Sequence, residues 1–191
     1  MAIISNVKVY DINESVKASK YPMAVNPEAC SSEVTNMTRK LASAPSGSAH
    51  DCFLKGIVVN FDLTFTVKAW TEMERYHFAD IVSSMSTMHR IARFDLDEQF
   101  ESHVDQQIIE RLKKLQEIYN NMPDDDPDKK EAYLILLYSC PVGLKLTARV
   151  TTNFLQLKTI YAQRKNHRLP EWREMCKWIQ SLPYFVELVL N

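Results

Sequence analysis

The segment from Ile57 to Thr66 constrains the fold most, because apolar and polar residues alternate along it without a break. Its apolar positions are Val59, Phe61, Leu63 and Phe65. Residues two apart share one face of a β-strand, whereas the same spacing spreads around a helix. The alternation therefore predicts a strand that buries one face and leaves a polar row on the other.

Length and charge exclude several classes of protein. The 191 residues suffice for one domain with a real core, so we expect a single domain over 1–191. Lys and Arg total 23 against 24 Asp and Glu, a balance that argues against a duplex nucleic-acid partner. With only three glycines there is no Gly-rich phosphate loop, so side chains or helix ends must hold any phosphate.

Cysteine spacing and hydropathy point to a reduced, cytoplasmic protein without a metal centre. The four cysteines form no C-x-x-C pair and have no histidine at zinc-ligand intervals. The first ten residues lack the pattern of a signal peptide, and no apolar run reaches about 18 residues. We therefore expect neither a bound metal nor a membrane partner.

The N-terminal half predicts a strand-helix-strand unit around the alternating segment. A first strand is predicted over Ile3 to Ile12, and a helix within Pro27 to Ala44 that ends in a Pro-Ser-Gly loop. Lys68 to Phe78 has the character of a helix. Asp80 to Ser86 is a short extended segment, which we expect to pair back onto the alternating strand.

A long amphipathic helix is predicted over Asp97 to Asn121. The acidic, proline-broken stretch Pro123 to Lys130 follows, and its three aspartates favour a solvated loop over a metal site. Glu131 to Tyr138 is so apolar that a buried helix is expected. The apolar face of the long helix would consist of Phe100, Val104, Ile108, Leu112, Leu115 and Tyr119.

Two more helices are predicted near the C-terminus. Thr151 or Thr152 can cap the first, and Pro170 suits the first turn of the second, which would end at Leu182-Pro183. The apolar face of the second consists of Trp172, Met175, Cys176 and Ile179.

Three polar clusters interrupt apolar segments and are candidates for ligand binding. They are His50; Arg75 with His77 and Ser86; and Arg149 with Arg164, His167, Arg168 and Arg173. Arginines can grip phosphate through two parallel hydrogen bonds, and nearby Tyr76, Phe78 and Trp172 could cover a flat ring. The combination suits a nucleotide, but surface arginines and structurally satisfied histidines explain the spacing as well.

Other polar groups favour a structural interpretation. No Ser lies in a G-x-S-x-G elbow and no Cys has a recognisable His partner, so nucleophilic catalysis has little support. Glu72 and Glu74 lie two positions apart on a predicted helix and are expected to be solvated. The basic group of His89-Arg90 and Arg93 is expected to be a solvated turn.

The order of these segments resembles the flavin-dependent thymidylate synthases. Ala49-His50 precedes the alternating strand as a Gly-His pair does in that family. The stretch from Arg75 to Ser86 resembles its R-H-R-x-x-S type motif: His77 replaces the second arginine, and Ser86 matches with one residue inserted. Met88 stands where the family has a further arginine.

The resemblance continues to Leu182. Residues 147–158 are similar to the signature N-x-R-x-L-x-x-F-x-x-L-R, in which Arg149, Phe154 and Leu157 match and Thr147 replaces asparagine. Residues 168–173 resemble A-Q-x-E-I-R, with Glu171 and Arg173 matching. Lys55 stands where the family has an acidic residue.

The resemblance implies an α+β fold, with an antiparallel or mixed sheet packed by long helices. It implies reductive methylation of dUMP to dTMP, with FAD as cofactor and NADPH and methylenetetrahydrofolate as co-substrates. Arg173 would be the catalytic residue and would bind the pyrimidine nucleotide together with Ser86. A flavin shared between subunits implies a homotetramer. The cofactor would be held by His50, Arg75, His77 and Arg149.

Three hypotheses remain open at this point. In the first, the chain is a working or substrate-shifted member of the flavin-dependent thymidylate synthases, for example a phage-type pyrimidine-modifying enzyme. In the second, it keeps the fold but has lost catalysis, and serves as a nucleotide-binding or assembly protein. The third is an unrelated, helix-rich interaction protein without a sheet, in which the long helix binds a partner.

Overall fold

A four-stranded antiparallel sheet forms the centre of the computed structural model, which describes residues 3–190. Its strands are β1 (Ile3–Tyr10), β2 (Val58–Thr66), β3 (Asp80–Ser84) and β4 (Lys145–Asn153). Their spatial order is β1-β2-β4-β3, so β2 lies between β1 and β4. The predicted fold class is confirmed, with the sheet antiparallel.

Eight α-helices accompany the sheet in residues 3–190. They are α1 (Ile12–Ala18), α2 (Asn36–Ala42), α3 (Val67–Met73), α4 (Thr87–Arg90), α5 (Gln106–Asn121), α6 (Lys129–Tyr138), α7 (Phe154–Arg164) and α8 (Pro170–Ser181). Short 3₁₀ turns cover Tyr21–Met23, Pro27–Ala29, Cys52–Gly56 and Ile91–Arg93, and a π-helical turn covers Val186–Leu190.

The buried face of β2 organises the main core. The alternate apolar side chains predicted from the sequence are completely buried there. Helix α8 packs on this face, with the ring centroid of Trp172 5.0 Å from that of Phe65 and that of Trp178 4.5 Å from that of Phe61. Burying rings of this size contributes about 1.5–3 kcal/mol each relative to exposure. The predicted apolar face of α8 is confirmed, since all four of its residues are buried.

A second apolar cluster lies between α5, α6 and the Ile91–Arg93 turn. Leu112, Leu136 and Leu144 are its most buried members, together with Ile91. Leu146 on β4 packs against both clusters, so the sheet joins them.

Strand β4 was missed by the sequence prediction. Its core-facing positions include Ala148 and Thr152, which give a weak apolar alternation. We had expected β3 to pair with β2, but it pairs with β4. Neither Thr151 nor Thr152 caps α7. The cap is Asn153, the last residue of β4, whose side chain accepts a hydrogen bond from the Gln156 N–H at 2.9 Å.

The long helix is shorter than predicted. It begins at Gln106, after Asp105 accepts a hydrogen bond from the Gln107 N–H at 2.7 Å. Residues 97–105 form a loop. In it, Phe100 makes an isolated antiparallel β-bridge with Leu144, and its side chain is buried. The buried face of the helix also differs from the predicted one: Ile109 is buried, whereas Ile108, which was predicted to lie on that face, is exposed.

Other predicted bounds also shift. In α6 only Leu136 is buried, and Tyr138 is largely exposed, so the prediction of a buried helix was wrong there. The predicted helix in the Pro27 to Ala44 stretch is confined to α2, which begins at a capping box between Thr35 and Thr38. The predicted first strand ends at Tyr10, before α1, and the helix after β2 ends at Met73, before Phe78.

No helix among residues 3–190 has the length and apolar character needed to cross a membrane. In the same residues, no three His, Cys, Asp or Glu side chains come together in a way that could hold a metal ion.

Gly143 allows a close approach that a larger residue would prevent. A Cβ atom at this position would lie 2.3 Å from Val104 Cγ2. Because a β-branched side chain is stiff at χ1, we expect Gly143→Ala to lower the free energy of unfolding by about 1–3 kcal/mol. Urea denaturation measures this. The double variant Gly143→Ala/Val104→Ala should recover part of the loss; a purely additive result would contradict the steric explanation.

Candidate functional site

The side chain of Glu72 lies at the centre of a buried polar network between α3, α7 and α8. Its Oε2 accepts hydrogen bonds from Arg164 Nη1 at 2.9 Å and Trp172 Nε1 at 3.0 Å. Its Oε1 accepts one from Lys68 Nζ at 2.7 Å. Burial alone would raise the pKa of Glu72, but the Lys68 hydrogen bond and the charges of Lys68, His167 and Arg164 outweigh it, so the pKa lies below its ordinary value.

The expectation that Glu72 is solvated was wrong. Glu72 is buried, whereas Glu74 is exposed as expected. Lys68 is four residues from Glu72 on the same helix, but the other two hydrogen-bond donors to Glu72 are distant in the chain, 92 residues for Arg164 and 100 for Trp172. Local spacing therefore indicates the Lys68 pair but not the burial of the carboxylate.

Arg164 is enclosed by aromatic side chains as well as paired with Glu72. Its guanidinium carbon lies 4.7 Å from the ring centroid of Trp172 and 5.6 Å from that of Tyr76. Its Nε donates to the Tyr76 hydroxyl at 2.7 Å, and that hydroxyl donates to Gln163 Oε1 at 3.0 Å. Cation–π contacts and the buried ion pair together fix this arginine inside the protein.

His167 connects the network to the loop before α8. Its Nε2 lies 2.8 Å from Arg164 Nη1 and 3.3 Å from Glu72 Oε2, and its Nδ1 accepts from the Leu169 N–H at 3.2 Å. Burial lowers the pKa of His167, and the charges of Arg164, Lys68 and Arg173 lower it further against the opposing effect of Glu72. With its pKa below 6.5 the ring is mainly neutral near pH 7, and its Nδ1 is the nitrogen that accepts the Leu169 N–H.

Arg173 lies on the exposed side of α8 and is held by this loop. Its Nη1 donates to the carbonyl oxygens of His167 at 2.6 Å and Arg168 at 2.8 Å. The network around Glu72 fixes the His167 ring, and the His167 backbone fixes Arg173. The predicted catalytic arginine is thus exposed but anchored.

Arg149 lies on the opposite face of the sheet. Its Nη1 donates to Asp62 Oδ1 at 3.0 Å, directly across the β2–β4 ladder, and to the Asn6 carbonyl at 2.8 Å. Asn6 occupies the left-handed region with φ of 50° within an irregularity of β1, and its amide also bonds to Asp62. The hydrogen bond from Asn6, followed by that from Arg149, lowers the pKa of Asp62.

His50 is exposed, and its neighbour Asp51 is one of the most buried charged residues. Asp51 Oδ2 lies 2.7 Å from Lys158 Nζ, which also donates to the carbonyl oxygen of Ala42 at 2.8 Å. Lys158 occupies the last position of the signature over residues 147–158. The structure therefore brings that signature next to His50, a connection that the sequence analysis did not anticipate.

Arg75 and His77 lie on the turn between α3 and β3, and Ser86 follows β3. Arg75 and His77 are exposed, and within residues 3–190 neither side chain takes part in a hydrogen bond or an ion pair. The turn itself is anchored at Phe78, whose N–H donates to Gln156 Oε1 at 3.3 Å and whose carbonyl accepts from Thr152 Oγ1 at 2.6 Å. Both side chains are thus presented to solvent from a fixed backbone.

One chain does not bring all of the predicted site residues together. Arg173 lies on the helix-covered side of the sheet, whereas Arg149 projects from the other face beside Asp62. A ligand contacting both arginines would need a second chain.

Comparison with solved structures identifies the fold. The chain is similar to flavin-dependent thymidylate synthase ThyX from Helicobacter pylori, crystallised with FAD and dUMP. In two such structures the TM-scores are 0.70 and 0.69 and the identity is 13%; one match covers 98% of this chain and 99% of that one, the other 97% and 94%. The chain has the fold of a flavin-dependent thymidylate synthase.

A second enzyme shares this thymidylate synthase fold. The UMP/dUMP methylase PolB from Streptomyces cacaoi, bound with 5-Br dUMP, matches with a TM-score of 0.61 and 15% identity over 98% of this chain and 92% of that one. The sequence matches no family model and no curated protein. The fold and its sheet contradict the hypothesis of an unrelated helical protein without a sheet.

The environment of His167 predicts how stability depends on pH. Because burial lowers its pKa below the ordinary value of 6.5, the unfolded chain takes up a proton first as the pH falls. We expect the contribution of His167 to be complete above about pH 6.5 and to be lost progressively below it. Thermal unfolding between about pH 7.5 and about pH 5.5 measures this, above the range in which Glu72 titrates.

His167→Gln should show a smaller loss of Tm over that range than the parent protein. His89→Gln, which changes an exposed histidine, is the control and should keep the parent slope. Equal slopes in the parent and His167→Gln would contradict the assignment.

Proposed function

We propose that the protein is a flavin-dependent pyrimidine nucleotide methyltransferase, converting dUMP to dTMP with methylenetetrahydrofolate and NADPH, or a substrate-shifted relative. The likeness over nearly the whole chain to enzymes crystallised with FAD and dUMP carries this proposal. The similarity to a UMP/dUMP methylase supports a pyrimidine nucleotide as substrate while leaving its identity open.

The residues present fit a flavin cofactor. Arg75 and His77 are exposed on an anchored turn, with no protein partner for either side chain among residues 3–190. Such side chains can donate hydrogen bonds to phosphate oxygens without first breaking an existing hydrogen bond or ion pair. His50 is a third exposed group, and it lies beside the Asp51–Lys158 pair. When bound, FAD would supply the hydride transfer that no side chain can perform.

Each polar residue has a distinct role in this proposal. Arg75, His77 and His50 hold the flavin phosphates, and Ser86 donates a hydrogen bond to the nucleotide. Arg173 binds the nucleotide and stabilises negative charge that develops on the pyrimidine ring. Glu72 and Arg164 contact the anchoring loop and act on Arg173 through the His167 backbone.

The site is proposed to be shared between subunits of a homotetramer. Arg149, expected at the flavin, and Arg173, expected at the nucleotide, lie on opposite sides of one sheet, so a site that uses both takes residues from two chains. The face that carries Arg149 also contains Asn60, whose Oδ1 is buried without a hydrogen-bond partner in the described residues. An unpaired buried acceptor costs free energy, and a second subunit could supply its donor.

One observation favours a second candidate, a nucleotide-binding or assembly protein without catalysis. Arg149 is already paired with Asp62 and hydrogen-bonded to the Asn6 carbonyl. An arginine with these partners has less capacity to bind phosphate. In that case oligomers would persist and flavin would be absent.

The flavin proposal predicts a yellow protein with flavin absorbance bands. Arg75→Ala should reduce FAD affinity by about tenfold, because a charge-assisted contact of about 1.5 kcal/mol is lost. Absorbance titration with FAD measures this. Arg111→Ala, which removes an exposed arginine on α5, is the control and should bind FAD like the parent protein.

The nucleotide proposal predicts that Arg173→Ala weakens dUMP binding by about tenfold. Lys177→Ala, one turn further along the exposed side of α8, is the matched control. Calorimetric titration at matched folded fraction separates binding from stability. Parent protein that binds neither FAD nor dUMP would contradict the proposed reaction, and a tetramer without either ligand would support the second candidate.

A further inference from the structure

A polar cleft of about 480 Å³ lies where the end of α5, the start of α6 and the segment 88–93 meet. It joins two features that the sequence analysis treated separately: the basic group with His89 and Arg93, and the stretch 123–130 with Asp124 and Lys129. Tyr119 and Tyr133 form part of its wall. Its volume falls within the range of about 300–1,000 Å³ that is usual for small-molecule sites.

The charges in the cleft favour an anion. His89, Arg93 and Lys129 line it, against Asp124 as the one acidic lining residue. The Lys129 side chain is partly buried, with 19% of its surface exposed. Its Nζ lies 5.4 Å from the ring centroid of Tyr119 and donates to the Met122 carbonyl at 2.8 Å. Asp124 bonds to the same Nζ at 2.6 Å, but its side chain is fully exposed. A phosphate could therefore displace this exposed carboxylate while Lys129 stays in place.

Hydrogen bonds fix the wall that carries the two basic residues. Asn120 Nδ2 donates to the Ala92 carbonyl at 3.0 Å, and Tyr133 donates its hydroxyl hydrogen to the Met88 carbonyl. Gln116 Nε2 donates to the carbonyl oxygens of Ile91 at 3.0 Å and Phe94 at 2.9 Å. The backbone that carries His89 and Arg93 is thus held before any ligand arrives, which lowers the entropic cost of binding.

We propose that this cleft binds the phosphate group of a small phosphorylated molecule, with Arg93, His89 and Lys129 as its ligands. The tyrosine wall accommodates the body of that molecule, whether a nucleoside or a sugar. The inference goes beyond the proposed function and does not depend on it, since none of these residues belongs to the proposed flavin or dUMP site.

Calorimetric titration with GMP, ribose 5-phosphate and inorganic phosphate tests the proposal. We expect saturable binding of at least one phosphorylated organic probe, weakened about tenfold by Arg93→Gln because one charge-assisted contact is lost. Asp124→Asn should strengthen binding, because it removes the carboxylate that competes for Lys129. Arg90→Gln, on the adjacent exposed turn, is the matched control and should bind like the parent protein.

The two phosphorylated probes separate the possible sources. Tighter binding of GMP supports a nucleotide, and tighter binding of ribose 5-phosphate supports a sugar phosphate. Absence of binding, or equal affinities in the parent protein and Arg93→Gln, would overturn the proposal. Because FAD and dUMP titrations report on Arg75 and Arg173, failure at the cleft is distinguishable from failure of the proposed function.

Discussion

The buried carboxylate of Glu72 is the interaction on which the arrangement of the candidate site depends. A charge removed from water is tolerated only when it is paired and hydrogen-bonded. Glu72 accepts three hydrogen bonds, from Lys68, Arg164 and Trp172, and the His167 ring lies 3.3 Å away. Because these groups come from α3, α7, α8 and the loop before α8, satisfying one carboxylate also fixes three helices relative to one another.

The same network places the proposed nucleotide arginine. Arg173 takes no part in the Glu72 cluster, but the carbonyl oxygen of His167 holds it. The buried Glu72 carboxylate thus helps to position the exposed Arg173 side chain, because the loop with His167 contacts both. On the other side of the sheet, Asp62 and the backbone carbonyl of Asn6 hold the Arg149 side chain in place. The two arginines are therefore fixed independently on opposite sides of the sheet, and a site that uses both would take residues from more than one chain.

Much of the α+β fold could be predicted from the sequence. The alternation in β2 and the helical period of α8 are local patterns, and their side chains are buried as expected. Strand β4 was not predicted, because Ala148 and Thr152 occupy two of its core-facing positions and α7 begins directly after the strand, at Phe154. Such small side chains form a core only when larger ones from elsewhere pack on them, so the sequence pattern alone is weak.

The sequence by itself determined which segments bury an apolar face and which cations stand at the positions of a known set of motifs, because periodicity and spacing are properties of neighbouring residues. Only the tertiary structure decided the partners of the charges. Glu72 and Glu74 look alike in the sequence, yet one is buried among distant donors and the other meets solvent. His89, Arg93 and Lys129 converge on one cleft only because α5 and α6 pack against each other. Electrostatic pairing depends on distance in space, and residues some 40 to 100 positions apart acquire that distance only when the chain folds.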